Sequence, residues 1–319
     1  RVPGDTLAKV TEELEMLDMA GAAFDSGEIL AGNTTPVFFG SAMNNFGVEL
    51  ILNGFLHHAP PPQGRPSNDE FIEPSDGEFS GFIFKIQANM DPKHRDRIAY
   101  IRICSGKFER DMTVYHSRTG KKVRLASSHR LFGKERETVN EAFPGDIIGL
   151  VGHADFGIGD TLTTKKGVEF DEIPRFTPES FSYLHNTDTG KFKQFRQGLE
   201  QLLQEGAIQC LSLKGSTIAV PVLAAVGPLQ FDVVQFRLES EYNAGSRLES
   251  APWQVVRWLP DGFNEEKMDQ LSPPTGSRFG WDSDGNPVLL FASDWAASYF
   301  QQNNESLNLA KEPPPLNGS

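Results

Sequence analysis

The chain has 319 residues, of which 23% are charged and 38% apolar, and its formal net charge is -13. The length predicts two or three domains, whereas the acidic balance argues against indiscriminate binding to nucleic acid, because phosphate backbones attract clustered Lys and Arg. No apolar run approaches the roughly 20 residues that span a bilayer, and the start at Arg1 predicts a processed or truncated chain in the cytoplasm.

The first 58 residues have the pattern of an α/β unit. Residues 6–23 predict an amphipathic helix because their apolar side chains recur at helical spacing, namely Leu7, Val10, Leu14 and Leu17. A short apolar run over residues 35–40 predicts a buried strand, and residues 48–56 predict the helix that follows. The proline-rich segment that begins at Ala59 predicts a linker over residues 59–78.

Residues 79–170 contain short alternating or apolar runs separated by Gly, Pro and Asp, a pattern that predicts a closed β-barrel. Longer elements begin at residue 171: a helix over 191–205, strands over 207–213 and 217–226, and a second helix after Pro228. Strand-like stretches over 180–184 and 253–258 flank them, so residues 171–300 are predicted to form an α+β two-layer domain. Two helical stretches are expected after Pro260, and residues 301–319 are expected to form a tail.

The second helix of this domain has an apolar stripe that predicts a core face. The residues expected to supply its apolar contacts are Leu229, Val233, Phe236 and Leu238. The stripe of the first helix, from Phe192 to Leu203, is interpreted in the same way. Both stripes are therefore predicted to be core faces of the domain rather than grooves that bind a partner.

Four ordered motifs in the barrel region resemble those of bacterial class II peptide chain release factors, which are translational GTPases. They are residues 82–97, Arg-Ile-Cys-Ser-Gly-Lys at 102–107, Pro-Gly-Asp-Ile at 144–147, and Gly-Asp-Thr-Leu at 159–162. Residues 35–47 and 225–234 are similar to the last nucleotide-binding loop of the GTPase domain and to a helix of the third domain. The resemblance covers about residues 10–258. It implies a GTPase-domain remnant over 1–58, followed by the translation-factor barrel and the α+β domain.

This resemblance implies the ribosome-binding part of a GTP-dependent factor, expected to be a monomer, that promotes departure of the class I release factor. An elongation-factor-like or ribosome-protection GTPase, or a freestanding ribosome- or RNA-interaction protein, remains an alternative. The sequence lacks a Gly-rich loop ending in Gly-Lys-Ser/Thr and an Asn-Lys-x-Asp motif. We therefore expect this chain alone neither to hydrolyse GTP nor to hold the GTP, GDP or Mg²⁺ that the intact family member uses.

Two groups of residues are candidate binding sites. A basic cluster predicts contact with ribosomal RNA, with a solvated turn as the alternative; it comprises Lys93, His94, Arg95 and Arg97, with Arg102 and Lys107 as secondary candidates. By the resemblance, Ser41 and Ala42 place backbone amides near a guanine base. The alternative is an ordinary connection in which Ser41 caps the following helix.

Three further features are interpreted as structural. Cys104 and Cys210 are expected to be buried and reduced, because two cysteines provide no disulfide framework. The pair His57-His58 has no third ligand at metal-binding spacing. The loop 282–286 has its glycine two positions too early for a calcium loop and predicts a turn. Neither a catalytic residue nor a metal site is predicted.

Overall fold

The computed structural model describes residues 4–21, 24–68, 70–88, 97–132, 135–171, 173, 175–216 and 220–314. The chain divides into two compact units, Arg1–Gln63 and Gly64–Ser319. Among the described residues no helix combines the length and the apolar character needed to cross a membrane.

The N-terminal unit consists of helices α1 (Gly4–Ala20), α2 (Ser26–Leu30) and α3 (Val48–His58). Both long helices match the sequence-based predictions, but residues 35–40 have irregular structure, so the predicted strand is wrong. A strand needs a hydrogen-bonded neighbour, and no strand of this unit is present in the described residues to pair with it. Val37 and Phe39 are consequently exposed rather than buried.

One close contact ties this irregular segment to α3. The ring of Phe38 lies over Gly54, where an added Cβ would come within 2.2 Å of the ring's Cζ atom. Glycine at this position lets the aromatic side chain approach the helix backbone. Most apolar side chains of α3, including Leu50 and Phe55, are exposed, whereas Val48 is half-buried.

The second unit begins with a β-barrel of short strands. They are β1 (Arg65–Pro66), β2 (Phe71–Ile72), β3 (Ser80–Ala88), β4 (Arg97–Ser105), β5 (Phe108–Glu109), β6 (Thr113–His116), β7 (Lys121–Arg124), β8 (Ser128–Phe132), β9 (Glu135–Thr138), β10 (Glu141–Ala142), β11 (Ile147–Val151) and β12 (Thr161–Thr163). Eight of them form one antiparallel sheet in the order β7-β6-β12-β3-β4-β11-β8-β9. In the described residues no ladder joins β7 to β9, so hydrogen bonding does not close the sheet there.

A single apolar core fills the curled sheet. Inward-facing residues alternate along the strands, as expected for a half-buried sheet. The members include Phe79, Ile83, Ile101, Ile103, Phe108, Leu150 and Leu162. The β-barrel predicted from the turn spacing is therefore confirmed as a curled sheet around one core, but its predicted closure, which would need a β7–β9 ladder, is not found in the described residues. Its unit also includes part of the predicted linker, because Ser67 pairs with Phe170 and Ile72 packs beside Val168.

The C-terminal domain starts as a βαββαβ unit made of β13 (Ser180–Asn186), α4 (Phe192–Gln204), β14 (Gln209–Leu213), β15 (Val222–Ala225), α5 (Leu229–Tyr242) and β16 (Ser246–Ser250). It continues with β17 (Val255–Trp258), α6 (Glu265–Asp269), β18 (Arg278–Trp281), β19 (Pro287–Phe291) and α7 (Asp294–Asn303). The seven strands form an antiparallel sheet in the order β16-β13-β15-β14-β18-β19-β17. Helices α4 and α5 pack on one face of this sheet around Leu184, Leu223 and Leu238, which gives the predicted two layers.

The region after Pro260 differs from the prediction of two helical stretches. It contains the short α6 and the longer α7, and in addition strands β18 and β19, which extend the sheet. The predicted tail is also part of the domain, since Ala310 pairs with Trp258 through two backbone hydrogen bonds.

Candidate nucleic-acid interface

Strands β3 and β4 form the stem of the hairpin that carries the predicted basic cluster. They pair from Ser80 and Ser105 down to Ala88 and Arg97. The cluster members Lys93, His94 and Arg95 lie outside the described residues. One side of the stem is held by the C-terminal domain, because the Ala88 amide donates a 2.7 Å hydrogen bond to Glu205 Oε1.

Arg97 is half-buried and directs its guanidinium group toward the loop between β11 and β12. Its side chain donates hydrogen bonds to the main-chain carbonyls of Ala154 and Phe156. Burial lowers the pKa of Arg97, whereas the nearby carboxylates of Asp160 and Asp155 act in the opposite direction. This geometry gives Arg97 a role in holding the loop before β12, while its contact with RNA stays a prediction.

The two secondary candidates have different surroundings. Arg102 is exposed on β4, opposite Ile147 of β11. Lys107 Nζ lies 2.7 Å from Glu141 Oε1 and 3.1 Å from Glu109 Oε1, and these hydrogen bonds raise the pKa of Lys107. Because two carboxylates offset its single charge, Lys107 is poorly suited to hold a phosphate.

The β6–β7 hairpin presents cations that the sequence-based prediction missed. Lys121 and Lys122 are exposed on β7, an edge strand, and no carboxylate of a described residue forms an ion pair with either. Lys122 Nζ lies 5.2 Å from the ring centroid of Tyr115, whereas Arg124 is paired with Asp111 at 3.0 Å. The signal was present in the sequence as a run of basic residues, namely Arg118, Lys121, Lys122 and Arg124.

A buried carboxylate holds this hairpin on the barrel. Asp160 Oδ1 accepts a 2.6 Å hydrogen bond from Arg118 Nε, and Asp160 Oδ2 accepts a 2.6 Å hydrogen bond from the Gly157 amide. His116 Nε2 lies 2.7 Å from Asp160 Oδ2, and both side chains are almost fully buried. Burial opposes ionisation, but the hydrogen bonds from Arg118, His116 and Gly157 lower the pKa of Asp160 to about 2. The Gly-Asp-Thr-Leu motif is therefore a structural element of the barrel.

Ser41 and Ala42 lie in a tight turn of the N-terminal unit. The Ser41 amide donates to the Phe46 carbonyl at 2.8 Å, and the Phe46 amide returns a 3.0 Å bond to the Ser41 carbonyl. Ser41 Oγ accepts a hydrogen bond from the Asn44 side chain and makes no cap to α3, which begins after Gly47. The alternative role of Ser41 as the cap of α3 is wrong. The Ser41 amide is already used inside the turn, and the role of Ser41 and Ala42 at a guanine base stays a prediction.

The residues interpreted as structural have matching environments. Cys104 is buried and Cys210 half-buried; both are free thiols, and burial raises the pKa of each to about 11. Asp282 accepts hydrogen bonds from the backbone amides of Asp284 and Asn286 and from Trp258 Nε1, so the calcium-like loop is a turn. Within the described part of the chain no cluster of His, Cys, Asp and Glu is arranged to hold a metal ion.

Comparisons with known proteins identify both domains of the second unit. Residues 170–301 match the family described as Class II release factor RF3, C-terminal domain, and residues 78–165 match Elongation factor G domain 2. A crystal structure of ttk003000868 from Thermus thermophilus superposes with a TM-score of 0.56 over 88% of this chain and 44% of that chain. At 19% identity this similarity concerns the fold.

Full-length relatives are much closer in sequence. Peptide chain release factor 3 of Gloeobacter violaceus is 49% identical over 97% of this chain and 58% of the relative. The corresponding protein of Gloeothece citriformis is 47% identical over 98% of this chain and 58% of the relative. That of a Synechocystis species is 50% identical over 91% of this chain and 53% of the relative. The chain thus spans a little over half the length of these relatives and matches their C-terminal part. It belongs to the class II peptide chain release factor family.

Proposed function

We propose that this chain is the ribosome-binding portion of a GTP-dependent peptide chain release factor that promotes release and recycling of class I release factors. The observation that carries the proposal is the 49% identity to a peptide chain release factor 3 over 97% of the chain. The two matched domains supply the docking surface in this proposal. GTP hydrolysis is assigned to the part of the relatives that this chain does not span.

The basic face of the barrel is the proposed contact with ribosomal RNA. It consists of the exposed Lys121 and Lys122 on β7; Lys93, His94 and Arg95, which lie outside the described residues, are proposed as further contacts. In a chain of net charge -13, such a local surface lets phosphates approach without favouring nucleic acid in general. Arg97 supports the barrel in this proposal and is left out of the contact.

A competition experiment tests the proposal. Ribosomes stalled at a stop codon with a bound class I release factor are mixed with a full-length family member and GTP, and dissociation of the class I factor is followed. Added in large excess, this chain is expected to occupy the shared docking site and to slow dissociation at least several-fold. Undiminished dissociation at saturating concentrations of the chain would contradict the proposal.

Matched charge variants show which surface is responsible. Lys121→Glu with Lys122→Glu, and separately Lys93→Glu with Arg95→Glu, are expected to abolish the inhibition. The control is Lys193→Glu with Arg196→Glu, which makes the same change in charge at exposed positions of α4. Equal loss of inhibition in the control would mean that total charge, rather than the barrel surface, governs binding.

A further inference from the structure

Helix α5 carries two apolar faces, and only one of them is covered. Phe231, Val234 and Leu238 are buried against the sheet and α4. Leu229, Val233 and Phe236, at positions i, i+4 and i+7, form a second row that is 76%, 52% and 70% exposed. We call these three residues the α5 row. The sequence-based prediction that they are core residues is wrong, because the core takes only the opposite side of the helix.

The α5 row continues beyond the start of the helix. Val226, just before α5, and Phe176 are 49% and 73% exposed, and both line a cleft of about 700 Å³ between the barrel and the C-terminal domain. Single exposed apolar side chains are ordinary, but a continuous group of them marks an interaction surface. The α5 row and the mouth of this cleft together expose five apolar side chains of the second unit.

The charges beside the α5 row are acidic. Asp232 and Glu239 are exposed and lie on one side of it, each three residues after a row member. No Lys or Arg of a described residue forms an ion pair with either of them. The one arginine of the helix, Arg237, is engaged by Glu205 and Glu241.

We propose that the α5 row binds an amphipathic helix with a basic flank, presented by a protein of the ribosome; this rests on the proposed function. Side chains at i, i+4 and i+7 form a ridge, and a helix offers the matching groove. Ribosomal RNA fits poorly because the acidic flank repels phosphates. A second copy docking through the same row would bring acidic charge against acidic charge.

Photo-crosslinking identifies the occupant. Val233 is replaced with p-benzoylphenylalanine in the full chain, which is bound to purified 70S ribosomes and irradiated; Ser298, exposed on α7, carries the same group as the control. The probe at position 233 is expected to crosslink to a ribosomal protein, within a helix whose Lys and Arg residues recur at helical spacing. Crosslinks to ribosomal RNA or to a second copy, or no crosslink beyond that of the control, would overturn the inference.

Binding variants test the same surface independently. Phe236→Ser, and separately Asp232→Lys with Glu239→Lys, are expected to weaken ribosome affinity about tenfold, with unchanged circular dichroism because all three side chains are exposed. The control Trp295→Ser removes an apolar residue that is 71% exposed on α7 and is expected to bind as the parent does. If the parent chain fails to bind ribosomes, the proposed function is refuted. If the parent binds and the α5 variants bind equally well, only this inference is refuted.

Discussion

Replacing Asp160 with asparagine removes the charge that joins β12 to the β6–β7 hairpin. The variant keeps the shape of the side chain but loses the negative charge that pairs with Arg118 and lies 2.7 Å from His116 Nε2. It also weakens the acceptor for the Gly157 amide. Because these groups lie at the base of the strand that carries Lys121 and Lys122, the change tests what holds the proposed contact surface in place.

The expected magnitude follows from the pKa of Asp160. Its displacement from 3.8 to about 2 corresponds to about 2–3 kcal/mol of stability at neutral pH. Since the folded-state pKa lies below the unfolded one, this contribution is complete above about pH 4 and is lost as the pH falls toward 2. The difference between parent and variant is therefore expected to be largest at pH 7 and to shrink by about half near pH 3.

Urea unfolding followed by far-ultraviolet circular dichroism measures this difference at the two pH values. The free energy of unfolding is expected to fall by about 2–3 kcal/mol at pH 7. A loss that is independent of pH, or one below about 0.5 kcal/mol, the range of ordinary surface substitutions, would refute the reasoning. In that case the Asp160 charge would contribute nothing to the barrel.

Three further predictions concern other parts of the chain. Glu205→Gln weakens the acceptor that joins the Ala88 amide and Arg237, so we expect the free energy of unfolding to fall by about 2–3 kcal/mol. Amide hydrogen exchange at the end of β3 is expected to become faster, and unchanged exchange there would contradict the role of Glu205. Asp282→Ala leaves the buried Trp258 indole without its acceptor, and a lower urea midpoint in tryptophan fluorescence is expected; an identical midpoint would show that the turn is dispensable. Calorimetry with GTP and GDP is expected to show no sub-micromolar binding, and tight binding would refute the interpretation of the missing phosphate loop.

The barrel was predictable because local rules and tertiary packing agree there. Alternation of apolar residues along β3 and β4 places Ile83, Ile101 and Ile103 on one face, and that face is the core. The ordered motifs that resemble release factors lie in the same region, so fold and family could be predicted together. Helix α4 was predictable for the same reason, since Phe195, Leu199 and Leu202 of its predicted apolar stripe are buried. Phe192, at the start of that stripe, is 59% exposed, so the prediction is wrong for this residue.

The other features depend on contacts that local pattern does not determine. An apolar stripe predicts that a helix face is buried somewhere, but it does not tell which of two faces meets the sheet; Leu229 and Phe231 of α5 illustrate this. The charge of Arg97 suggested a phosphate ligand, yet Nη1 and Nη2 of its guanidinium group donate to carbonyl oxygens nearly 60 residues away in the chain. Residues 35–40 have strand-like composition but no neighbouring strand in the described part of their unit.

Ribosome binding through the barrel is tested most directly by the affinity of this chain for 70S ribosomes, measured between about 50 and 200 mM salt. If β7 contacts ribosomal RNA, the logarithm of the association constant falls linearly with the logarithm of salt concentration. Lys121→Glu with Lys122→Glu then reduces that slope by about two, one for each lost phosphate contact, whereas Lys193→Glu with Arg196→Glu leaves it unchanged. An identical slope for the parent and the β7 variant, or no binding by the parent, would contradict the account.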